Sequence, residues 1–403
     1  MRAAFRSPGF KLLFAATTTS LFGDSVMLLV FSMWVKDLTG SNGLAGLTFF
    51  WMVLPSLFAP LVGGPIDRVR RRPMLVWGNF ASALMVLPLL LVRDEGDVWV
   101  IWSVAALYGV SFVVLPAGLN GLLKELLPER LLVEANASVQ TVREGFRLVG
   151  PLVGAGLYAA VGGWAVALID CASFVVAAVL ISRIRVAESI PETGPARWRA
   201  DLAVGARHLL GDEVLKPVLV AFGSMLLVVG FAEASIYAIL DAFGLPVEFA
   251  GVAVTIQGVG ALAGALTASR VIRRLGEPKA VLIGLVLMAA SFTLVAGSSL
   301  LAVVIVGVVV LGYSLPLLLV AYTTLVQVRT PQRIMGRVST ALEVVLGTPQ
   351  AVSLGVGALL VSLLDYRAIF AIMAAMTGVG AAYLAVHLPD RRALVPAEVP
   401  DAE

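Results

Sequence analysis

Cysteine and histidine are nearly missing from this chain, with one Cys and two His in 403 residues. Cys171 stands alone inside an apolar run, which excludes a disulfide framework and a thiolate metal cluster. His208 and His387 sit at or beyond the margins of apolar runs, so a paired-histidine metal site is not expected. No Gly-rich phosphate loop of the Walker type occurs, and ATP is not an evident energy source. No nucleophile, base and orienting acid can be grouped, so the sequence points away from an enzyme, from a cofactor and from a metal. Charge is scarce as well, at 14% of residues against about 25% in a soluble domain. What fills the chain is apolar: 59% of residues are hydrophobic and the mean hydropathy is +0.96. Water is not its main solvent.

Apolar segments near the ~20 residues that carry a helix across a bilayer recur along the whole length. Twelve spans are predicted, at 11–35, 43–65, 74–92, 98–120, 138–161, 164–183, 216–240, 248–269, 279–297, 299–325, 338–362 and 366–388. The first runs too long for a cleavable signal peptide and lacks a small-residue cleavage pattern. With the N-terminus inside, the outer loops hold only Lys36, Arg93 and Arg367, while nearly all the other Lys and Arg fall in inner segments. Both termini are therefore expected in the cytoplasm, in a multi-pass protein of the cytoplasmic (inner or plasma) membrane. The formal net charge of +3 reflects this bias; basic residues scattered over short loops are no nucleic-acid footprint.

The one long polar stretch, "SRIRVAESIPETGPARWRADLAVGARHLLGD", carries Pro191, Gly194 and Pro195 at its centre and reads as a linker. It divides the chain into a six-helix bundle at 1–187, a cytoplasmic linker at 188–212, a second six-helix bundle at 213–388 and a cytoplasmic tail at 389–403. An internal repeat supports the division. "LPERLLVEANASVQTVREGFRLVGPLVGAGL" lies on "TPQRIMGRVSTALEVVLGTPQAVSLGVGALL" without a gap, Pro128 meeting Pro331 and Arg130 meeting Arg333. Two parallel-related halves are the arrangement in which a substrate site forms at the repeat interface near mid-membrane.

Between the second and third spans, "GGPIDRVRRRP" resembles the loop motif of the major facilitator superfamily. Gly63, Asp67, Arg68, Arg71 and Arg72 match its pattern, and Arg70 stands where many members have Gly. The resemblance implies a cytoplasmic latch in which Asp67 pairs with Arg and with a helix N-terminus, where a negative charge is favoured. A topology marker would explain the arginines, but not the preceding glycines or the lone Asp. The fifth span carries "GFRLVGPLVGAG", similar to the Gly-Pro-x-x-Gly motif of the superfamily's antiporters, here Gly150, Pro151 and Gly154. Small residues let helices approach closely and Pro loosens one of them; in the family this segment goes with exporters. Asp170, Ser173 and Phe174 resemble the Asp-x-x-Ser-Phe element on the sixth span of the macrolide-efflux and enterobactin-exporter branch, as does the Gly-Asp at 23–24. The family's usual fourth-span arginine is absent, since 98–120 holds no basic residue. The resemblance implies an all-α membrane protein of twelve transmembrane helices in two pseudo-symmetric six-helix bundles.

Charges inside spans are costly and face a bundle interior, a water-filled cavity or one another. Arg143 and Arg147 are one turn apart on the fifth span, with Glu144 at i,i+3 from Arg147. A structural ion pair or snorkelling stands beside a transport role for them, and Arg143 is a candidate partner for Asp67. Asp24 lies about 20 Å from both Lys11 and Lys36 at ~1.5 Å per residue, which puts it near mid-membrane and makes it the leading candidate for reversible protonation. Hydrogen bonding to Thr17–Ser20 is the alternative. Glu233 is the matching acid in the second half; Glu343 and Glu144 complete the coupling candidates. Phe50, Trp51, Tyr108, Phe231, Tyr237 and Tyr313 are candidates to line the cavity, although aromatics in spans more often serve packing.

These features converge on a monomeric secondary transporter that exports a hydrophobic or amphipathic small molecule (a drug, antibiotic or siderophore-like compound) by proton antiport with alternating access. Its partners are that substrate, protons and the lipid bilayer. Two alternatives stay open: a proton-coupled nutrient importer, and a non-transporting membrane receptor or scaffold of the same fold.

Overall fold

The computed structural model describes residues 4–58, 69–186, 188, 198–331 and 334–388, and these are helical almost throughout. In chain order the helices are α1 (Pro8–Thr39), α2 (Asn42–Val53), α3 (Arg71–Val86), α4 (Val98–Leu126), α5 (Glu129–Val161), α6 (Gly163–Ser182), α7 (Trp198–Gly211), α8 (Leu215–Ala234), α9 (Ile236–Ala242), α10 (Phe249–Leu275), α11 (Glu277–Gly297), α12 (Leu301–Arg329), α13 (Met335–Leu363) and α14 (Tyr366–Val386). Among the described residues ten helices are long and apolar enough to cross a membrane, and a shorter apolar one covers Asn42–Leu57. The predicted span 43–65 begins on that shorter helix, with 59–65 outside the described residues, and 138–161 is the apolar part of α5. The chain is a multi-pass, all-α membrane protein.

Local chemistry sets the ends of α1, the helix that carries the site below. Ser7 is its N-cap, accepting from the Phe10 N–H at 3.3 Å, and Pro8 fills the first turn, where a missing N–H does no harm. Gly40 closes it with a positive φ of 65°, a conformation glycine adopts without steric penalty. Large apolar side chains on the outside of the helices, such as Trp77 at 71% exposure, would be an aggregation hazard in water; hydrocarbon is their solvent.

The chain divides into two compact units: Met1–Ala196 with Glu233–Thr255 and Gly357–Leu363, and Arg197–Ala232 with Ile256–Val356 and Leu364–Glu403. In unit 1, α1 packs on α2, α5 and α6, while α4 packs on α2 and α3. Its core gathers Val26, Phe31, Tyr108 and Phe174, together with Tyr237 and Leu240 from α9. A second cluster around Phe10, Leu13, Leu122 and Ile181 fills the end nearer the N-terminus of α1. In unit 2, α11 packs on α12 and α14, with Phe292 against Phe370 at 5.8 Å between ring centroids and the Ser291 hydroxyl donating to Gly307 O at 2.7 Å.

Candidate functional site

The site is built where α1, α4 and α6 meet in unit 1. Gly23 lets α1 come against α6 so closely that a Cβ there would collide with Ser173 Oγ and Asp170 Oδ1. The next residue, Asp24, is half-buried, and Asp170 is fully buried. Tyr108, on α4 and also buried, stands between them: its Oη lies 2.7 Å from Asp24 Oδ1 and 3.1 Å from Asp170 Oδ2. Three T-shaped ring contacts, with Phe31, Phe112 and Phe174 at 5.3, 5.2 and 5.9 Å, fix the phenol in place. Ser173 donates to the Asp170 backbone carbonyl at 2.7 Å, and Asp170 Oδ1 is buried without a hydrogen-bond partner.

A phenol has one hydrogen to give. Tyr108 can donate to one of the two carboxylates; a bond to the other exists only if that carboxyl carries a proton and donates to the phenol oxygen. Both short contacts can be hydrogen bonds at once only when one of the two carboxyls carries a proton.

α5 packs beside this group. It lies against α1 through Gly150, where a Cβ would meet the Ser25 side chain, and Gly154, where it would meet the Val26 carbonyl. Pro151 sits within the helix, and its carbonyl is where a Cβ on Gly251 would come to 2.7 Å. Arg143 and Arg147 are solvent-accessible on this helix. Arg143 is within electrostatic reach of Asp24, and Arg147 of Glu233 at the end of α8. Glu144, within i,i+3 reach of Arg147, accepts from Gln140 Nε2 at 2.7 Å.

Of the remaining predicted residues, Gly63, Asp67 and Arg68 lie outside the described residues, and so does the expected Arg143–Asp67 pair. Arg71 runs alongside Gly121 of α4. Arg72 offers its backbone N–H to Glu188 Oε1 at 3.0 Å and its guanidinium to the Ser182 carbonyl. Glu343 is on α13, with its side chain outside the described set. Phe50 and Trp51 form a ring pair in unit 1 at 5.7 Å, and Tyr313 takes a hydrogen bond from Thr267 at 2.8 Å in unit 2. Tyr108, Phe231 and Tyr237 are buried, with the Tyr108 hydroxyl against Asp24 and the Tyr237 hydroxyl against Ser32.

Comparison with known proteins agrees with this architecture. The family model described as Major Facilitator Superfamily matches residues 13–238 and 219–403. The multidrug efflux pump Tap of Mycobacterium tuberculosis (strain ATCC 25618 / H37Rv) is 28% identical over 359 residues, covering 84% of this chain and 83% of its own. Among solved structures, a bacterial homologue of the iron transporter ferroportin in its inward-facing state superposes with a TM-score of 0.72 at 16% identity, covering 94% of this chain and 98% of its own. The nucleoside transporter NupG gives 0.74 at 12% identity, covering 94% and 99%. At these identities the two structures bear on the fold alone.

Proposed function

Because the chain belongs to the major facilitator superfamily, with the transporter role that membership carries, we propose that it exports a hydrophobic or amphipathic small molecule in exchange for protons. The membrane is the cytoplasmic one and both termini face the cytoplasm, as the distribution of Lys and Arg favours. The likeness to a protein named as a multidrug efflux pump supports the direction and the breadth of substrate.

One observation carries the coupling: a single phenol, Tyr108, within hydrogen-bond distance of two carboxyls on different helices. In the resting arrangement the Asp24–Tyr108–Asp170 group holds one proton and Arg143 balances the remaining charge. Loss of that proton leaves two carboxylates competing for one donor, which disfavours the close meeting of α1, α4 and α6; regaining it restores the bridge. A proton that binds one arrangement better than the other shifts the population between them by its differential affinity, which is all that alternating access requires. Glu233, with Arg147 as counter-charge, is a second carboxylate for the same cycle.

Efflux of several hydrophobic dyes and antibiotics from vesicles with an imposed pH gradient tests this, with the native protein beside Asp24→Asn. Gradient-driven movement present in the first and absent in the second is the expected result. Equal movement in both removes Asp24 from the coupling, and the same transport without any gradient dependence removes the antiport.

A further inference from the structure

Where α1 begins and α4 and α6 end, the three helix ends surround a cavity of about 440 Å³. Its lining is of two kinds. Leu12, Leu126, Ile184 and Val186 form an apolar wall, continuous with the packed cluster of Phe10, Leu13 and Leu122, while Arg183, Arg185 and Glu125 bring charge to it. Gly9 lets the wall close: a Cβ there would come to 2.9 Å from Leu126 Cδ2 and 3.7 Å from Ile184 Cγ2.

The charge here leans to the positive. Arg183 and Arg185 are exposed, and neither side chain has a hydrogen-bond or ion-pair partner among the described residues. Arg6, Lys11 and Lys124, all exposed, are chain neighbours of the lining residues Ser7, Leu12 and Glu125, and Glu125 is the one acid in the lining. The backbone that carries the two arginines is anchored by α3 on either side of them. Arg72 gives its guanidinium to the Ser182 carbonyl and its backbone N–H to Glu188 Oε1 at 3.0 Å. The cations therefore stand on a held segment.

Two guanidinium groups above an apolar wall, at the ends of three membrane-spanning helices, match an anion joined to hydrocarbon. A free anion would answer the arginines and leave the wall wet. A zwitterionic lipid would cover the wall, but its own ammonium offsets its phosphate.

We propose that this cavity binds an anionic phospholipid of the inner leaflet, with the phosphate on Arg183 and Arg185 and the glycerol and upper acyl chain on Leu12, Leu126 and Val186. Its inner-leaflet placement rests on the orientation proposed above. The occupant touches the ends of α1, α4 and α6, the helices that bring Asp24, Tyr108 and Asp170 together. A ligand that binds when these ends are gathered stabilises the gathered state, so the lipid favours the arrangement in which the phenol meets both acids.

The test is lipid binding by the full chain in detergent and needs no transport. Phosphatidylglycerol, phosphatidylcholine and glycerol 3-phosphate are titrated separately, with bound lipid counted by native mass spectrometry and the melting temperature followed alongside. Phosphatidylglycerol is expected to leave one lipid bound that phosphatidylcholine does not, and to raise the melting temperature. Arg183→Gln with Arg185→Gln should weaken its binding about ten-fold. Val186→Trp, which fills the cavity without changing its charge, should weaken it comparably. Arg273→Gln with Arg274→Gln removes two exposed bases from the end of α10 and should leave binding unchanged. If the first double variant is not recovered folded, Arg185→Gln alone should weaken binding several-fold. Equal retention of phosphatidylcholine, an equal loss in the α10 variant or unchanged binding in Val186→Trp overturns the site. The same melting rise with glycerol 3-phosphate overturns the lipid in favour of a free phosphate. The orientation is read separately: in a Cys171→Ser background, Arg6→Cys should react with a membrane-impermeant maleimide in inside-out vesicles. Reaction in right-side-out vesicles alone overturns the inner-leaflet placement, whatever the detergent result.

Discussion

The two units bury different kinds of polar group. In unit 1 a carboxylic acid, Asp170, is fully buried beside half-buried Asp24, whereas the buried polar side chains of unit 2, among the described residues, are hydroxyls alone: Ser291, Ser314, Thr330, Ser353 and Thr377. A hydroxyl is satisfied by one backbone carbonyl or N–H, as Ser353 shows by accepting from the Gly230 N–H at 3.0 Å, and it has one charge state. A carboxyl has two, and the surroundings must accommodate both. The proposed proton switch therefore has its carboxyls in unit 1, while the buried polar side chains described in unit 2 have no proton to exchange near neutral pH.

The largest way to break this comparison is at Asp24. Asp24→Asn keeps the shape and a hydrogen-bond acceptor for Tyr108 but has a single protonation state. Gradient-driven efflux should fall to the level of empty vesicles, with the folded protein still recovered as a single species on a sizing column. The control sits in unit 2: Ser353→Ala removes a buried polar group of the fixed kind and should leave gradient dependence intact. A loss of coupling in the control as large as in Asp24→Asn would erase the distinction between the units.

Tyr108→Phe comes next. It strips Asp170 Oδ2 of its only described partner while Oδ1 already has none, leaving a buried carboxyl without hydrogen bonds. A loss of about 1–3 kcal/mol is expected, read as a lower melting temperature in detergent. The double variant Tyr108→Phe with Asp170→Leu should recover part of it, since replacing both partners of a buried polar contact removes the unsatisfied group. No recovery would mean that the phenol serves packing rather than the acids.

Part of this was legible beforehand and part was not, for physical reasons. Periodicity and length place a residue on a helix, and an apolar run that holds an Asp advertises a site, which is how Asp24 and Asp170 came forward separately. Which helices meet is decided by side-chain relief, so that Gly23 would face Asp170 and Tyr108 would stand between two acids was beyond a one-dimensional pattern. The arginines of α5 show the same limit. Their spacing puts Arg143 and Arg147 on one face, but the nearest acid in sequence, Glu144, bonds Gln140. Lys36 was readable only as an outer-loop charge; its partner Asp241 is far away in the chain.

Close helix approach offers a comparison in which the units should agree. A Cβ at Gly154 of α5 would strike the Val26 carbonyl, and one at Gly312 of α12 would strike the Gln257 carbonyl. Backbone cannot yield as a flexible side chain does, so Gly154→Ala and Gly312→Ala should each lower stability by about 1–3 kcal/mol. Similar melting shifts with coupling altered only in Gly154→Ala would sharpen the contrast, because α5 lies on the switchable site and α12 does not.

The smallest effect belongs to a charge in unit 2 whose role is structural. Asp212 precedes α8 and accepts from the Val214 and Leu215 N–H groups, each at 2.8 Å, and from Arg329 Nε at 3.0 and 3.1 Å. Burial alone would raise its carboxyl; the two backbone N–H groups and the Arg329 guanidinium outweigh it and hold the acid below the ordinary carboxylate range. A depressed folded value means that the stabilisation is fully present above the unfolded value, near 3.9, and is lost as pH falls through the folded one. Asp212→Ala should cost about 1 kcal/mol at neutral pH, the usual worth of a helix N-cap, and the difference from the native protein should shrink below about pH 4. Efflux should keep its dependence on the gradient in this variant. A melting difference that persists unchanged into acid would show that Asp212 acts by shape rather than charge, while altered gradient dependence would place a titrating group of the transport cycle in the unit that otherwise buries hydroxyls alone.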